Sequence, residues 1–262
     1  MRSTQTGYLL IADITGYTGY LSDSELEHAQ EVLQTLLELL IDHTRPPLAI
    51  SRTAGDAVIS YALQGVALQG QTFIELIEDT YVAFRRAIEL MVLNNSCHCN
   101  ACANIPSLDL KFFVHHGAFG IQKLGGHDEL VGSDVNLIHR LLKNHVTEQT
   151  GFRAYTLYTD AAIVQLGLEE FCESLISQRE SYEHLGEVEV WIQDMHPVWA
   201  AKKESLRVTI PPNEIVLQVA AEIDMPVQQV WDYLVQPAFR RILIGSDRQE
   251  IIDRYHGRVG EG

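Results

Sequence analysis

The chain has 262 residues, 46% of them hydrophobic and 21% charged. This is an ordinary globular mix that excludes disordered and fibrous classes and fits one large domain or two small ones. Nineteen lysines and arginines against 35 aspartates and glutamates leave a net charge of −16, and such a surface repels nucleic acid and anionic membranes, so neither is an expected partner. No apolar run reaches the roughly 18 residues of a bilayer span, and the four cysteines read as free thiols or metal ligands of a cytoplasmic protein.

Residues 7–14 form a near-continuous apolar run, which predicts a strand buried on both faces. Ser22-x-x-Glu25 has the form of a capping box, and Leu26, Ala29, Leu33, Leu36, Leu37 and Leu40 repeat at helical spacing up to Arg45-Pro46-Pro47. Two short strands at 48–53 and 57–62 meet through Ala54-Gly55-Asp56. A second long helix covers residues 72–93. A cysteine-bearing loop follows Asn94-Asn95, then a strand at 108–119, a loop opened by Gly125-Gly126, and a helix from Ser133 or Asp134 to about Asn144. Strand 153–158, a short helix from Thr159 and a strand pair around 182–193 complete the unit. The order predicts an α+β domain over residues 5–195, a mixed, mainly antiparallel sheet with helices on one face. Residues 196–213 read as a linker. Residues 214–262 read as a strand, Met225-Pro226, and a helix carrying Trp231; so few residues cannot bury a core alone, so the unit is read as partial.

Asp13 ends the first strand and precedes Ile14-Thr15-Gly16-Tyr17-Thr18. A carboxylate beside a glycine turn can hold a divalent cation while the turn's amides cradle a polyphosphate. Asp56 sits at the tip of the next hairpin, and a hairpin paired beside the first strand would bring both carboxylates to one edge. Either alone is equally well a turn cap or a hairpin residue. Asn136 and Arg140 lie at i, i+4 on one helix, placed to contact a ribose and a phosphate, or simply forming a polar face.

Together these pieces resemble the class III nucleotidyl cyclases, the adenylate and guanylate cyclase homology domain. Ala12-Asp13-Ile14-Thr15-Gly16-Tyr17-Thr18 matches the first metal motif of that family and Gly55-Asp56-Ala57 the second. His116-Gly117 and Gly132-Ser133-Asp134-Val135-Asn136-Leu137-Ile138-His139-Arg140 match its later strand and helix. The resemblance implies a nucleoside triphosphate substrate and a head-to-tail homodimer. It implies that Asp13 and Asp56 bind two Mg2+ or Mn2+ ions per site, and that residues Ile14, Thr15, Gly16, Tyr17 and Thr18 contact the phosphates. It makes Asn136 and Arg140 catalytic, positioning the ribose and offsetting charge on the α-phosphate. Arg52, four residues before Asp56, and Glu129, seven before Asn136, occupy the base-reading positions where adenylate cyclases usually carry lysine and aspartate. Charge sign is kept and geometry is not, which leaves the base open.

Cys97-His98-Cys99-Asn100-Ala101-Cys102 places three thiols within six residues. Cys97, Cys99 and Cys102 could share a structural zinc, with His98, His115, His116 or Cys172 as the fourth ligand, or form a loop of reduced thiols. Residues 223–234 resemble the start of a START-like, polyketide-cyclase-like helix-grip domain. Three functions follow as alternatives: a metal-dependent cyclase forming a 3′,5′-cyclic nucleotide and pyrophosphate in signalling, an inactive nucleotide-binding sensor regulating the attached domain, or a carrier of a small apolar ligand.

Overall fold

The computed structural model describes residues 4–65, 70–95, 97, 99–124, 127–183, 185–206, 213 and 222–235. Strand β1 (Gln5–Thr15) lies inside an 8-stranded sheet. It pairs antiparallel with β3 (Ala57–Leu63) on one side and β4 (Asp109–Leu124) on the other. Beyond β3 lies β2 (Ala49–Ala54); beyond β4 come β6 (Tyr155–Thr159), β8 (Gly186–Asp194) and β7 (Ile176–Tyr182). The β4–β6 pairing is parallel, and the other ladders among the described residues are antiparallel. Strand β5 (His127–Val131) folds back on the end of β4 as a hairpin, where the sequence suggested only a loop.

Successive side chains of a strand point to opposite faces, and both faces of β1 are covered. Tyr8, Leu10, Ala12 and Ile14 meet α2 (Leu26–Thr44) and α3 (Gly70–Asn94), whose Leu36, Leu40, Phe73, Tyr81 and Phe84 are fully buried. Leu9 and Ile11 meet Phe113, Tyr155, Val135, Ile138 and Leu141 on the other face. This explains the unbroken apolar run of the first strand. The two long helices share one face as expected, while the shorter α5 (Ser133–Leu141) and α6 (Val146–Thr150) pack on the opposite one.

Two local readings change. A six-residue helix, α1 (Tyr17–Ser22), begins directly after Gly16, so Ser22 ends a helix and caps nothing downstream. Its Oγ donates to the Thr18 carbonyl at 2.9 Å. Glu25 is the N-cap residue of α2 by backbone position, and its carboxylate accepts from the Ala101 amide at 3.0 Å, in the first turn of α4 (Asn100–Asn104). A further helix, α7 (Asp160–Leu166), follows β6 as expected, with the Thr159 hydroxyl as its cap.

The stretch read as a linker begins with α8 (His196–Ser205), whose first turn carries Pro197. His196 Nε2 lies 2.9 Å from Asp109 and Lys203 Nζ 2.6 Å from Glu89, and these contacts hold the helix against α3 and the start of β4. The strand expected at 214–223 falls mostly outside the described residues; the following helix is present as α9 (Val227–Val235). Among the described residues no helix is long and apolar enough to cross a membrane.

Candidate active site

Asp13, near the end of β1, is the last β1 residue paired with β3, opposite Ala57, and stands opposite Lys111 of β4. The β2–β3 turn runs through Gly55 at φ 65°, a left-handed conformation natural to glycine, and delivers Asp56 to the same end of the sheet. There the Asp56 carbonyl accepts from the Ile14 amide at 3.1 Å. Burial, and then the nearby Asp56 charge, push the Asp13 carboxyl up to about 6, with Lys111 opposing the rise. Burial also raises Asp56. Two half-buried carboxylates with incompletely offset charge form a set of hard oxygen donors, which fits a divalent cation.

Lys111 was not singled out from the sequence. Its ammonium stands 4.9 Å from the centre of the Tyr155 ring, and burial holds its pKa below the ordinary lysine value. It stands opposite Asp13 in the β1–β4 ladder, a pairing that its place in an apolar strand does not signal.

The turn after Asp13 depends on Gly16, at φ 89°; a Cβ there would lie 3.0 Å from the Ser107 carbonyl oxygen. The first amides of a helix have no partner within it, so Gly16 and the start of α1 present N–H groups beside the two carboxylates. The Thr15 hydroxyl is buried without a hydrogen-bond partner among the described residues. The Ile14 amide is already taken by Asp56.

Arg52 and Glu129 stand together. Their closest atoms are 3.4 Å apart, and the neighbouring Ser51 hydroxyl donates to the Asp128 carbonyl at 2.6 Å, so β2 and β5 are held side by side. Burial and the Arg52 charge keep His139 of α5 below the ordinary histidine value.

Gly132, at φ 146°, turns the chain into α5. Asp134 then accepts from the Ala118 amide at 2.6 Å and approaches His115 Nε2 at 3.6 Å. Burial lowers the His115 pKa, so this contact is to a neutral ring at pH 7. With Val135, Ile138 and Leu141 turned into the sheet, Asn136 and Arg140 are exposed one turn apart. No hydrogen bond or ion pair among the described residues joins them to Asp13 or Asp56.

Cys97, Cys99 and Cys102 lie at the opposite face, beside α2, with His28 among them. The fourth-ligand candidates from the sequence are placed elsewhere. His115 Nδ1 is 2.8 Å from the Thr159 hydroxyl, His116 packs on the Tyr8 ring, and Cys172 belongs to the core. His98 lies outside the described residues.

Residues 33–150 match the profile of a family described as a protein of unknown function, DUF2652. The chain is 29% identical over 164 residues to the uncharacterized protein Rv2561/Rv2562 of Mycobacterium tuberculosis, spanning 61% of this chain and 72% of that one. Among solved structures it is similar to the guanylyl cyclase Cya2, with a TM-score of 0.54 at 12% identity, covering 73% of this chain and 92% of the other. It is similar to a bacterial light-regulated adenylyl cyclase, with a TM-score of 0.56 at 13% identity, covering 79% of this chain and 59% of that one. The catalytic core of a rhodopsin-guanylyl cyclase with converted specificity, in complex with ATPalphaS, gives 0.50 at 17% identity over 74% and 99% of the two chains. At such identities the likeness speaks for architecture alone: the chain has the fold of the class III adenylyl and guanylyl cyclase domains.

Proposed function

We propose that the chain is a metal-dependent nucleotidyl cyclase acting in signalling, and that it converts a nucleoside triphosphate to a 3′,5′-cyclic nucleotide and pyrophosphate. The observation that carries this reading is the meeting of Asp13 and Asp56 at one strand end, next to the Gly16 turn. Asp13 and Asp56 would hold two Mg2+ or Mn2+ ions, which when bound would lower the pKa of the ribose 3′-hydroxyl and hold the triphosphate. Thr15 and the amides at Gly16, Tyr17 and Thr18 cradle phosphate oxygens, with Ile14 fixing the turn through its bond to Asp56. Arg52 and Glu129 read the base edge, one as donor and one as acceptor. The 3′-hydroxyl gives its proton to solvent and its oxygen bonds to the α-phosphorus, while the bond from the α-phosphorus to the bridging oxygen breaks and that oxygen leaves with pyrophosphate. Asn136 keeps the ribose in line, and Arg140 offsets charge growing on the α-phosphate.

Asn136 and Arg140 are exposed, and among the described residues no hydrogen bond or ion pair joins them to the carboxylates. That arrangement suits a head-to-tail homodimer in which one chain supplies Asp13 and Asp56 and the other supplies α5. The solved rhodopsin-guanylyl cyclase core in complex with ATPalphaS supports a nucleotide ligand for this fold.

One observation favours the sensor alternative: Arg52 and Glu129 satisfy each other at 3.4 Å, a contact a base must open. Incubation with each of the four ribonucleoside triphosphates and manganese, followed by mass analysis, separates the readings. A cyclic mononucleotide that disappears in Asp13→Ala and Asp56→Ala supports catalysis. Nucleotide binding without product from any triphosphate would leave the sensor.

A further inference from the structure

A second constellation lies away from the carboxylates, where α2 meets the loop between α3 and α4. His28 Nδ1 is 3.2 Å from Cys99 Sγ, 3.6 Å from Cys97 Sγ and 3.8 Å from Cys102 Sγ. All four candidate ligand atoms lie within 4.8 Å of one another. Ligands about 2.0–2.3 Å from a tetrahedral zinc stand roughly 3.5–3.8 Å from each other, so the four atoms already approximate the corners of such a site. The cysteines are free thiols, with no disulfide among them.

From this geometry we propose a structural zinc site with a Cys3His donor set: Cys97, Cys99, Cys102 and His28. Three soft sulfurs and one imidazole select zinc over the hard cations suited to Asp13 and Asp56. Four protein ligands close the coordination shell, which marks a structural rather than a catalytic ion.

The surroundings are built for thiolates. The Cys99 amide points at Cys97 Sγ at 3.5 Å, and the Cys102 amide at Cys99 Sγ at 3.4 Å. Asn95 brackets Cys97: its side-chain oxygen accepts from the Cys97 amide at 2.8 Å and its Nδ2 donates to the Cys97 carbonyl at 3.0 Å. Such amide–sulfur and loop contacts orient the ligands of a metal site and stabilise their charge. The Cys99 sulfur caps α4, and Glu25 of the α2 N-cap accepts from Ala101 in the same short helix. The ion therefore ties α2 to the α3–α4 connection, two segments 69 or more residues apart in sequence. A clip that closes a loop of that length adds to the packing of α2 on α3 already present there.

The site stands independently of the proposed cyclase activity and is tested without it. Protein purified without added metal is expected to carry about one zinc per chain by elemental analysis. Chelation should expose three additional reactive thiols, and titrating the metal-free chain with Co2+ should give a thiolate-to-cobalt absorption band with an endpoint near one equivalent. His28→Ala and Cys102→Ser should each lower zinc content severalfold. Since a variant that fails to fold also loses zinc, the wild-type chelation and cobalt experiment is decisive. Less than about a tenth of an equivalent of zinc, with no cobalt–thiolate band on reconstitution, would overturn the site. Full zinc content in folded His28→Ala or Cys102→Ser would overturn this ligand set.

Discussion

Asp13 carries two opposed demands, ionised for a cation and half-buried at a strand end. Its pKa, pushed up to about 6 by burial, lies well above the ordinary aspartate range, so protonation favours the folded state. The stability this gives is fully present below the unfolded value and is lost as pH rises through about 6. Metal-free Asp13→Asn is therefore expected to melt roughly 2–6 °C above wild type at pH 7, with the gain gone near pH 4. Divalent ions should raise the melting temperature of wild type and leave the variant unchanged; calorimetry at the two pH values, with and without manganese, checks both. Activity and metal affinity should fall as pH drops through about 6, because the protonated carboxyl is a poor ligand. Lys111 opposes that protonation, so Lys111→Met should move the acid limb of the pH–rate profile upward. An unmoved limb would detach Lys111 from Asp13. The aspartates were legible in the sequence because Asp13 lies at the end of a short apolar run and Asp56 directly before one, each beside a glycine turn. Lys111 was not, since a lone cation in an apolar strand carries no local pattern.

At the scale of elements, β4 and α5 are joined through Gly117 and Asp134. A Cβ on residue 117 would run into the Asp134 carboxylate, which also accepts from the Ala118 amide. Gly117→Ala is expected to cost about 1–3 kcal/mol by crowding, and Asp134→Ala about 1 kcal/mol by leaving that amide unpaired. The double variant should cost less than the sum, because the second change removes the clash of the first. Urea unfolding of the three variants measures this, and strict additivity would show that the two residues act separately. A second expectation concerns β2 and β5. Arg52→Lys with Glu129→Asp restores the residues usual in adenylate cyclases, so the ratio of ATP to GTP turnover should rise in the double variant. An unchanged ratio would remove Arg52 and Glu129 from base reading.

The apolar periodicities and turn glycines pointed to most of the strands and both long helices, while the last strand pair begins at Ile176, before the expected 182. The capping box misled because Gly16 opens a short helix before Ser22, and a six-residue helix has no periodicity to read. The β4–β5 hairpin was hidden by Gly125-Gly126, which is as compatible with an open loop as with a turn. His28 was missed because a histidine 69 residues from the first cysteine has no sequence spacing to betray it.

At the scale of the whole molecule, the proposed machinery is drawn from two elements of the chain. Asp13, Asp56 and the Gly16 turn lie at a strand end, while Asn136 and Arg140 stand on the exposed side of α5. A two-fold dimer contains two composite sites, and in a mixed dimer of Asp13→Ala with Arg140→Ala one site carries both lesions while the other carries none. The most direct measurement of a catalytic, shared site is cyclic-nucleotide formation by these two variants, apart and combined after subunit exchange. Each alone should be nearly inactive, and the mixture should recover up to roughly a quarter of wild-type activity if chains pair at random. No recovery despite demonstrated exchange, or a wild-type monomer that stays active at high dilution, would contradict the shared site; no cyclic product from wild type would contradict the enzyme itself.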